Sequence, residues 1–184
     1  MAKVNTLYGQ IDQSLMNKFA NIRLLVCDVD GVFSDGTILL GNQGEELKAF
    51  NTKDGYGIKA LSKVGVDVAV ITGRQSQIVA NRMQALNVKH IMQNREDKQV
   101  AIKELIRDYG YTNSQIASVG DDMPDTGMFL ESEIGIAVAD AHPMVKQKAT
   151  FCTSLDGGRG AVREICDLIL QAKGKLEEIH GASV

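Results

Sequence analysis

The chain has 184 residues, 44% of them hydrophobic and 23% charged, with a formal net charge of −3 at neutral pH. At ~150 residues per domain this length predicts one domain, and the composition excludes disordered, collagen-like and mucin-like chains. The mild acidity argues against a nucleic-acid surface, no apolar run approaches the ~18 residues of a bilayer span, and the N-terminus is too polar for a signal peptide.

Leu7, Ile11, Leu15 and Phe19 recur at spacings of four, which predicts an amphipathic helix over 7–19. Residues 22–27 read as a short buried strand that stops at Asp28-Val29-Asp30-Gly31. Stretches 37–40 and 46–50 flank Gly41-Asn42-Gln43-Gly44 and predict a β-hairpin, a flap over about 36–50. From there the pattern is regular: helix 56–64, strand 66–71, helix 75–86, strand 88–92, helix 96–109, strand 116–119, short helix 125–131, strand 134–138 and helix 161–172. The last helix carries the stripe Val162, Ile165, Cys166, Ile169, with Gly174 just past its end. Residues 175–184 read as a frayed tail. Strands alternating with helices predict an α/β fold: a Rossmann-like, mainly parallel sheet with helices on both faces, one inserted hairpin, and a single domain over 1–184.

Ligands of such sheets bind beyond the carboxyl ends of the strands. Asp28, Asp30 and Asp35 follow the first strand of the alternating series, Thr72-Gly73-Arg74 the second, a polar loop ending in Asp97-Lys98 the third, and Gly120-Asp121-Asp122 with Asp125 the fourth. Several carboxylates on one edge repel each other unless a cation joins them, and hard oxygen donors suit Mg²⁺ together with substrate phosphate. One carboxylate can attack phosphorus, and a second can move the proton of the leaving alkoxide and of water. Each short motif alone is a common turn or helix entry; the ordered set is what points to phosphoryl chemistry. Cys27, Cys152 and Cys166 are odd in number and widely spaced, so they read as buried thiols of a cytoplasmic protein rather than a disulfide framework. Cys152 and Arg159 stand one residue too far apart for a cysteine-phosphatase loop.

The order Asp28-Val29-Asp30-Gly31-Val32, Thr72-Gly73-Arg74, Lys98, Gly120-Asp121-Asp122 and Asp125 resembles the haloacid dehalogenase superfamily of phosphatases. The resemblance implies Asp28 as nucleophile, Asp30 as general acid and base with its carbonyl on Mg²⁺, Thr72 on the transferring phosphoryl group and Lys98 neutralising charge. It implies Asp28, Asp30 and Asp121 on the metal, with Asp122 and Asp125 behind them. The intervals from Asp28 to Thr72 and from Thr72 to Lys98 leave no room for a cap domain. Stretches 28–36, 41–50, 53–58, 137–143 and 157–164 are similar to the capless sugar-acid phosphatases of that superfamily, which implies a homo-oligomer, a tetramer, built by hairpins packed between subunits. By the same resemblance Lys53, Gly73 and Arg74 contact the substrate, and Arg159 either projects to bind substrate at a phosphate or a neighbouring active site or sits on the surface at the start of the last helix. Arg163 reads as a structural ion pair, and the substrate is an eight-carbon sugar-acid phosphate or its nine-carbon counterpart. Asn94, where relatives often carry glycine, is expected to keep the loop shape because asparagine tolerates a left-handed backbone. A phospho-accepting receiver domain uses the same residue types in the reverse order, and a nucleotide-binding loop is missing because the one Gly-Lys pair, Gly174-Lys175, follows the last helix.

Overall fold

The computed structural model describes residues 2–178. It opens with β1 (Lys3–Thr6) and β2 (Gly9–Asp12), an antiparallel hairpin in which Thr6 faces Gly9. This corrects the helix expected over 7–19, of which only α1 (Gln13–Asn21) remains, burying Met16 and Phe19. Leu7 lies in the turn and is 72% exposed, and Gly9 takes φ +109°. Thr6 Oγ1 closes the turn by donating to the Gly9 carbonyl at 2.7 Å and accepting the Tyr8 amide at 3.1 Å. A spacing of four was met by one turn residue, one inward strand residue and two helical ones. The Tyr8 hydroxyl then donates to Asp167 Oδ2 at 2.8 Å and ties the hairpin to the rest of the molecule.

The chain continues as β3 (Leu24–Cys27), the two-residue strands β4 (Leu39–Leu40) and β5 (Glu46–Leu47), α2 (Thr52–Lys63), β6 (Asp67–Ile71), α3 (Gln77–Ala85), β7 (His90–Met92), α4 (Lys98–Tyr109), β8 (Ile116–Gly120), α5 (Thr126–Phe129), β9 (Ile134–Ala137), α6 (Pro143–Lys148), β10 (Phe151–Cys152) and α7 (Ala161–Ala172). Six strands form one sheet in the order β10-β9-β8-β3-β6-β7, each neighbouring pair parallel. β4 and β5 pair antiparallel as the expected hairpin. α6 and β10 were not anticipated: six and two residues are too short to display a period.

Both faces of the sheet are covered, as a parallel sheet requires. Alternation within β3 divides the core: Leu25 and Cys27 join one cluster with α1, α2 and α7, and Leu24 and Val26 join another with Ala101, Ile102 and Leu105 of α4. α2 and α7 approach closely because residue 57 is glycine; a Cβ there would lie 2.9 Å from that of Cys166. Cys27 and Cys166 are buried, but Cys152 is exposed on the edge strand β10, contrary to the expectation of three buried thiols. Of the tail, Lys175 pairs with Glu178 at 2.7 Å, and 179–184 lie outside the described residues. Among the described residues no helix is long and apolar enough to cross a membrane.

Register decides what this fold does with its polar residues. Cys27 stands opposite Val70 of β6 and Val119 of β8. Asp28, Thr72 and Asp121, which follow these strands, therefore emerge at the same edge.

Candidate active site

At that edge lies a cavity of about 430 Å³ whose wall includes Asp28, Asp30, Thr72, Arg74, Lys98 and Asp121. Asp28 continues the β3–β8 pairing through its amide, which donates to the Val119 carbonyl at 3.0 Å. The chain then turns sharply, with the amides of Val32, Phe33 and Ser34 all donating to the Val29 carbonyl. Gly31 takes φ +92° in this turn, and a Cβ on it would lie 2.1 Å from Asp121 Oδ2. Only glycine lets the Asp121 carboxylate approach so closely.

Lys98, the first residue of α4, is buried and bridges two acids: its Nζ donates to Asp28 Oδ1 at 2.6 Å and to Asp125 Oδ1 at 2.5 Å. Asp97 before it caps the helix by accepting the Val100 amide at 3.0 Å. The second oxygen of Asp125 accepts the amides of Asp121 at 2.9 Å and Asp122 at 3.1 Å. Asp122 itself accepts the Met123 amide at 2.7 Å. Asp28, Asp121 and Asp125 offer carboxylate oxygens that lie within 4.8 Å of one another. Both oxygens of Asp125 are already engaged, so Asp28 and Asp121 are the carboxylates with capacity for a cation, and Asp125 shapes the loop that presents Asp121.

Electrostatics agree with that division. Burial pushes the Asp28 carboxyl up to about 7, helped by the charge of Asp125 and opposed by Lys98. Burial also pushes Asp121 up to about 8, reinforced by Asp28, Asp125 and Asp122. Burial pulls the Lys98 ammonium down, but Asp28 and Asp125 together outweigh it and the net shift is upward. Crowded carboxylates that resist ionisation are what a hard divalent cation relieves.

Thr72 is buried at the end of β6, where its amide donates to the Met92 carbonyl at 3.0 Å. Its hydroxyl accepts the Arg74 amide at 3.3 Å. The facing loop is held by the Arg95 amide on the Thr72 carbonyl at 3.0 Å and the Ser76 amide on Gln93 Oε1 at 2.6 Å. Asn94 adopts φ +58°, the left-handed conformation expected of it.

The comparisons with known proteins fit this geometry. A family model described as haloacid dehalogenase-like hydrolase matches residues 90–165. The 3-deoxy-D-manno-octulosonate 8-phosphate phosphatase of Yersinia pestis is 49% identical over 183 residues, covering 100% of this chain and 98% of that protein. This chain belongs to the haloacid dehalogenase-like phosphatases. A crystal structure of the Yersinia pestis phosphatase superposes with a TM-score of 0.96 at 49% identity, covering 100% of this chain and 99% of the other. The phosphatase of Moraxella catarrhalis, solved with a magnesium ion, a phosphate ion and 3-deoxy-D-manno-octulosonate, has a TM-score of 0.88 at 38% identity, covering 91% of this chain and 97% of that one.

Within this haloacid dehalogenase-like fold, the structure brings Asp28, Asp30, Thr72, Gly73, Arg74, Lys98, Asp121, Asp122 and Asp125 around one cavity. Lys53 and Arg159 do not line that cavity of their own chain. Lys53 is exposed in the first turn of α2, where Asp54 and Gly55 take the inward positions. Arg159 is turned outward by the packing of Gly157 and Gly158 against residues 31–35 and pairs with Asp35 at 3.2 Å. Arg163 makes the expected ion pair, with Asp167 at 2.8 Å, and lies over the Tyr56 ring at 4.5 Å from its centroid.

Two site residues escaped the sequence reading. Lys48 ion-pairs with Asp30 Oδ1, and Glu46 lies 3.4 Å from Lys48 and 3.5 Å from Arg74. The signal was alternation within the hairpin: Glu46 and Lys48 share one side of the strand, and the exposed Leu47 between them takes the other.

Proposed function

We propose that this chain is a Mg²⁺-dependent phosphatase that hydrolyses 3-deoxy-D-manno-octulosonate 8-phosphate to the free sugar acid and phosphate, a step of lipopolysaccharide inner-core synthesis. The observation that carries the reading is the cluster of Asp28, Asp30, Thr72, Lys98 and Asp121 at one sheet edge, in a chain alike over its whole length to phosphatases of that name. Asp28 attacks phosphorus and the ester bond to the sugar oxygen breaks. Asp30 gives its proton to the departing alkoxide. Water then attacks the aspartyl-phosphate, Asp30 takes a proton from it, and Asp28 is released as carboxylate with inorganic phosphate. Lys98 balances charge on Asp28, and Thr72 donates its hydroxyl to a phosphoryl oxygen. Asp28, Asp121 and the Asp30 carbonyl are the groups that would hold Mg²⁺, which supplies Lewis-acid stabilisation of the phosphoryl oxygens. Asp122 and Asp125 support that set from behind.

The whole of 1–184 is read as one capless domain in the cytoplasm. A homo-oligomer, a tetramer by preference, supplies what a cap would: Leu39 and Leu47 are cross-strand partners on the side of the hairpin away from Glu46, both exposed, and such an apolar pair favours burial against another copy. Lys53 and Arg159, both exposed away from their own cavity, then serve a neighbouring one, Arg159 by exchanging its pair with Asp35.

Phosphate release is to be measured with the eight-carbon and nine-carbon sugar-acid phosphates, glucose 6-phosphate and nitrophenyl phosphate. Preference for the eight-carbon substrate, lost in chelator and abolished by Asp28→Asn in a folded protein, is the expected result. Preference for the nine-carbon acid would change the substrate and keep the mechanism, whereas activity of Asp28→Asn near that of the parent would remove the nucleophile. Light scattering of Leu47→Asp tests the assembly: an unchanged mass would sink the role given to the hairpin.

A further inference from the structure

We infer that Lys48 is a positioning residue for Asp30, through which the hairpin over 37–50 aligns the proton-transferring carboxylate with the leaving oxygen. The inference rests on the phosphatase reading and goes beyond it, because that reading gives Lys48 no role. The Lys48 side chain is fully buried and its ammonium pairs with Asp30 Oδ1. The second oxygen of Asp30 lies 3.8 Å from Arg74 Nε, and both residues line the cavity. Glu46 completes the ring by lying 3.4 Å from Lys48 and 3.5 Å from Arg74. Asp30 is thus held by the hairpin directly, and Arg74 through Glu46, whereas Asp28 is held by the sheet and Lys98. One carboxylate oxygen fastened from outside leaves the other directed at the substrate, and one rotamer of Asp30 is selected. Leu39 and Leu47, on the opposite side of the hairpin, are exposed, so whatever fixes that side also fixes Lys48.

The test exploits leaving-group chemistry. A sugar alkoxide must be protonated as it departs, whereas nitrophenolate leaves without a proton. Lys48→Met should lower kcat for the sugar-acid phosphate by about 10- to 100-fold, the loss typical of a misplaced catalytic group, with KM little changed. First-turnover nitrophenolate release should fall far less, and Lys48→Arg should restore most of the loss. Lys48→Gln provides a second variant should the methionine protein fail to fold. Equal losses for both leaving groups, or a raised KM at unchanged kcat, would overturn the inference. A parent enzyme inactive on every sugar-acid phosphate would instead remove the functional reading beneath it.

Discussion

Lys98 serves two carboxylates, and its removal would leave both buried without a cation. Breaking one side of such a group typically costs about 3–5 kcal/mol. Uptake of a proton by Asp28 offsets part of that, since burial already holds its carboxyl up to about 7. Lys98→Met should therefore lose about 2–3 kcal/mol of stability at pH 8 and less at pH 5. Urea denaturation at the two pH values measures this, and equal losses would contradict the buried-charge argument. At this scale the sequence was most informative: Asp28, Asp121 and Lys98 stood out because a strand ended beside each of the loops that hold them. Lys48 did not, because a lysine in a short hairpin carries no pattern that separates it from a solvated one.

Among the elements, the loop between β10 and α7 acts as a brace beneath the Asp28–Asp30 turn. Glu164 holds one end by accepting the amides of Ser154 at 2.9 Å and Leu155 at 3.0 Å, and Asp140 accepts the Gly157 amide at 2.9 Å. The Gly158 amide donates to the Val32 carbonyl at 2.8 Å, and a Cβ on Gly157 would lie 1.7 Å from the Gly31 carbonyl oxygen. Gly157→Ala must push the turn aside. Its kcat should fall by about 10- to 100-fold with the circular dichroism spectrum retained, and unchanged kinetics would show the turn to be indifferent to the brace. Asp54 of α2 anchors the start of α7: its Oδ1 accepts the Arg163 amide at 2.8 Å, and its Oδ2 is buried without a hydrogen bond among the described residues. Burial pushes its carboxyl up to about 6, against the amides of Arg163 and Gly160 that favour the anion. In the unfolded chain it titrates at ~3.9. Between about pH 4 and 6 the native state keeps a proton that the unfolded state has lost, so stability falls as pH rises through that window and levels above it. Asp54→Asn should flatten this slope by about 2 kcal/mol between pH 4.5 and 7, read from urea midpoints. An identical slope in the variant would assign the pH dependence elsewhere.

For the whole molecule, a cation that binds only the folded state adds stability by mass action, about 2.7 kcal/mol at a hundredfold excess over Kd. For a chain of this size that corresponds to a rise in Tm of about 5–10 °C. Calorimetry with Mg²⁺ and then with chelator should show the rise and its reversal; a Tm indifferent to both would argue against a divalent site at Asp28 and Asp121. The same scale exposes where periodicity misled. The hairpin of β1 and β2 was hidden because Leu7, Ile11, Leu15 and Phe19 match a helical spacing that three different environments happen to satisfy. α6 and β10 were hidden because each is shorter than the window in which a period can be recognised.

By itself the sequence determined the α/β class, the order of the long elements, the catalytic chemistry on offer and the absence of room for a cap. These follow from local signals: apolar runs that must be buried, glycines that permit turns, and acids placed where strands end. Tertiary structure alone decided that Gly157 packs under the turn, that Arg159 faces outward, that Asp125 spends both oxygens within the fold, and that Lys48 reaches Asp30. Each of those is a contact between segments distant in the chain, set by strand register and by which face of a loop is packed, and neither is written in the spacing of residues along a single element.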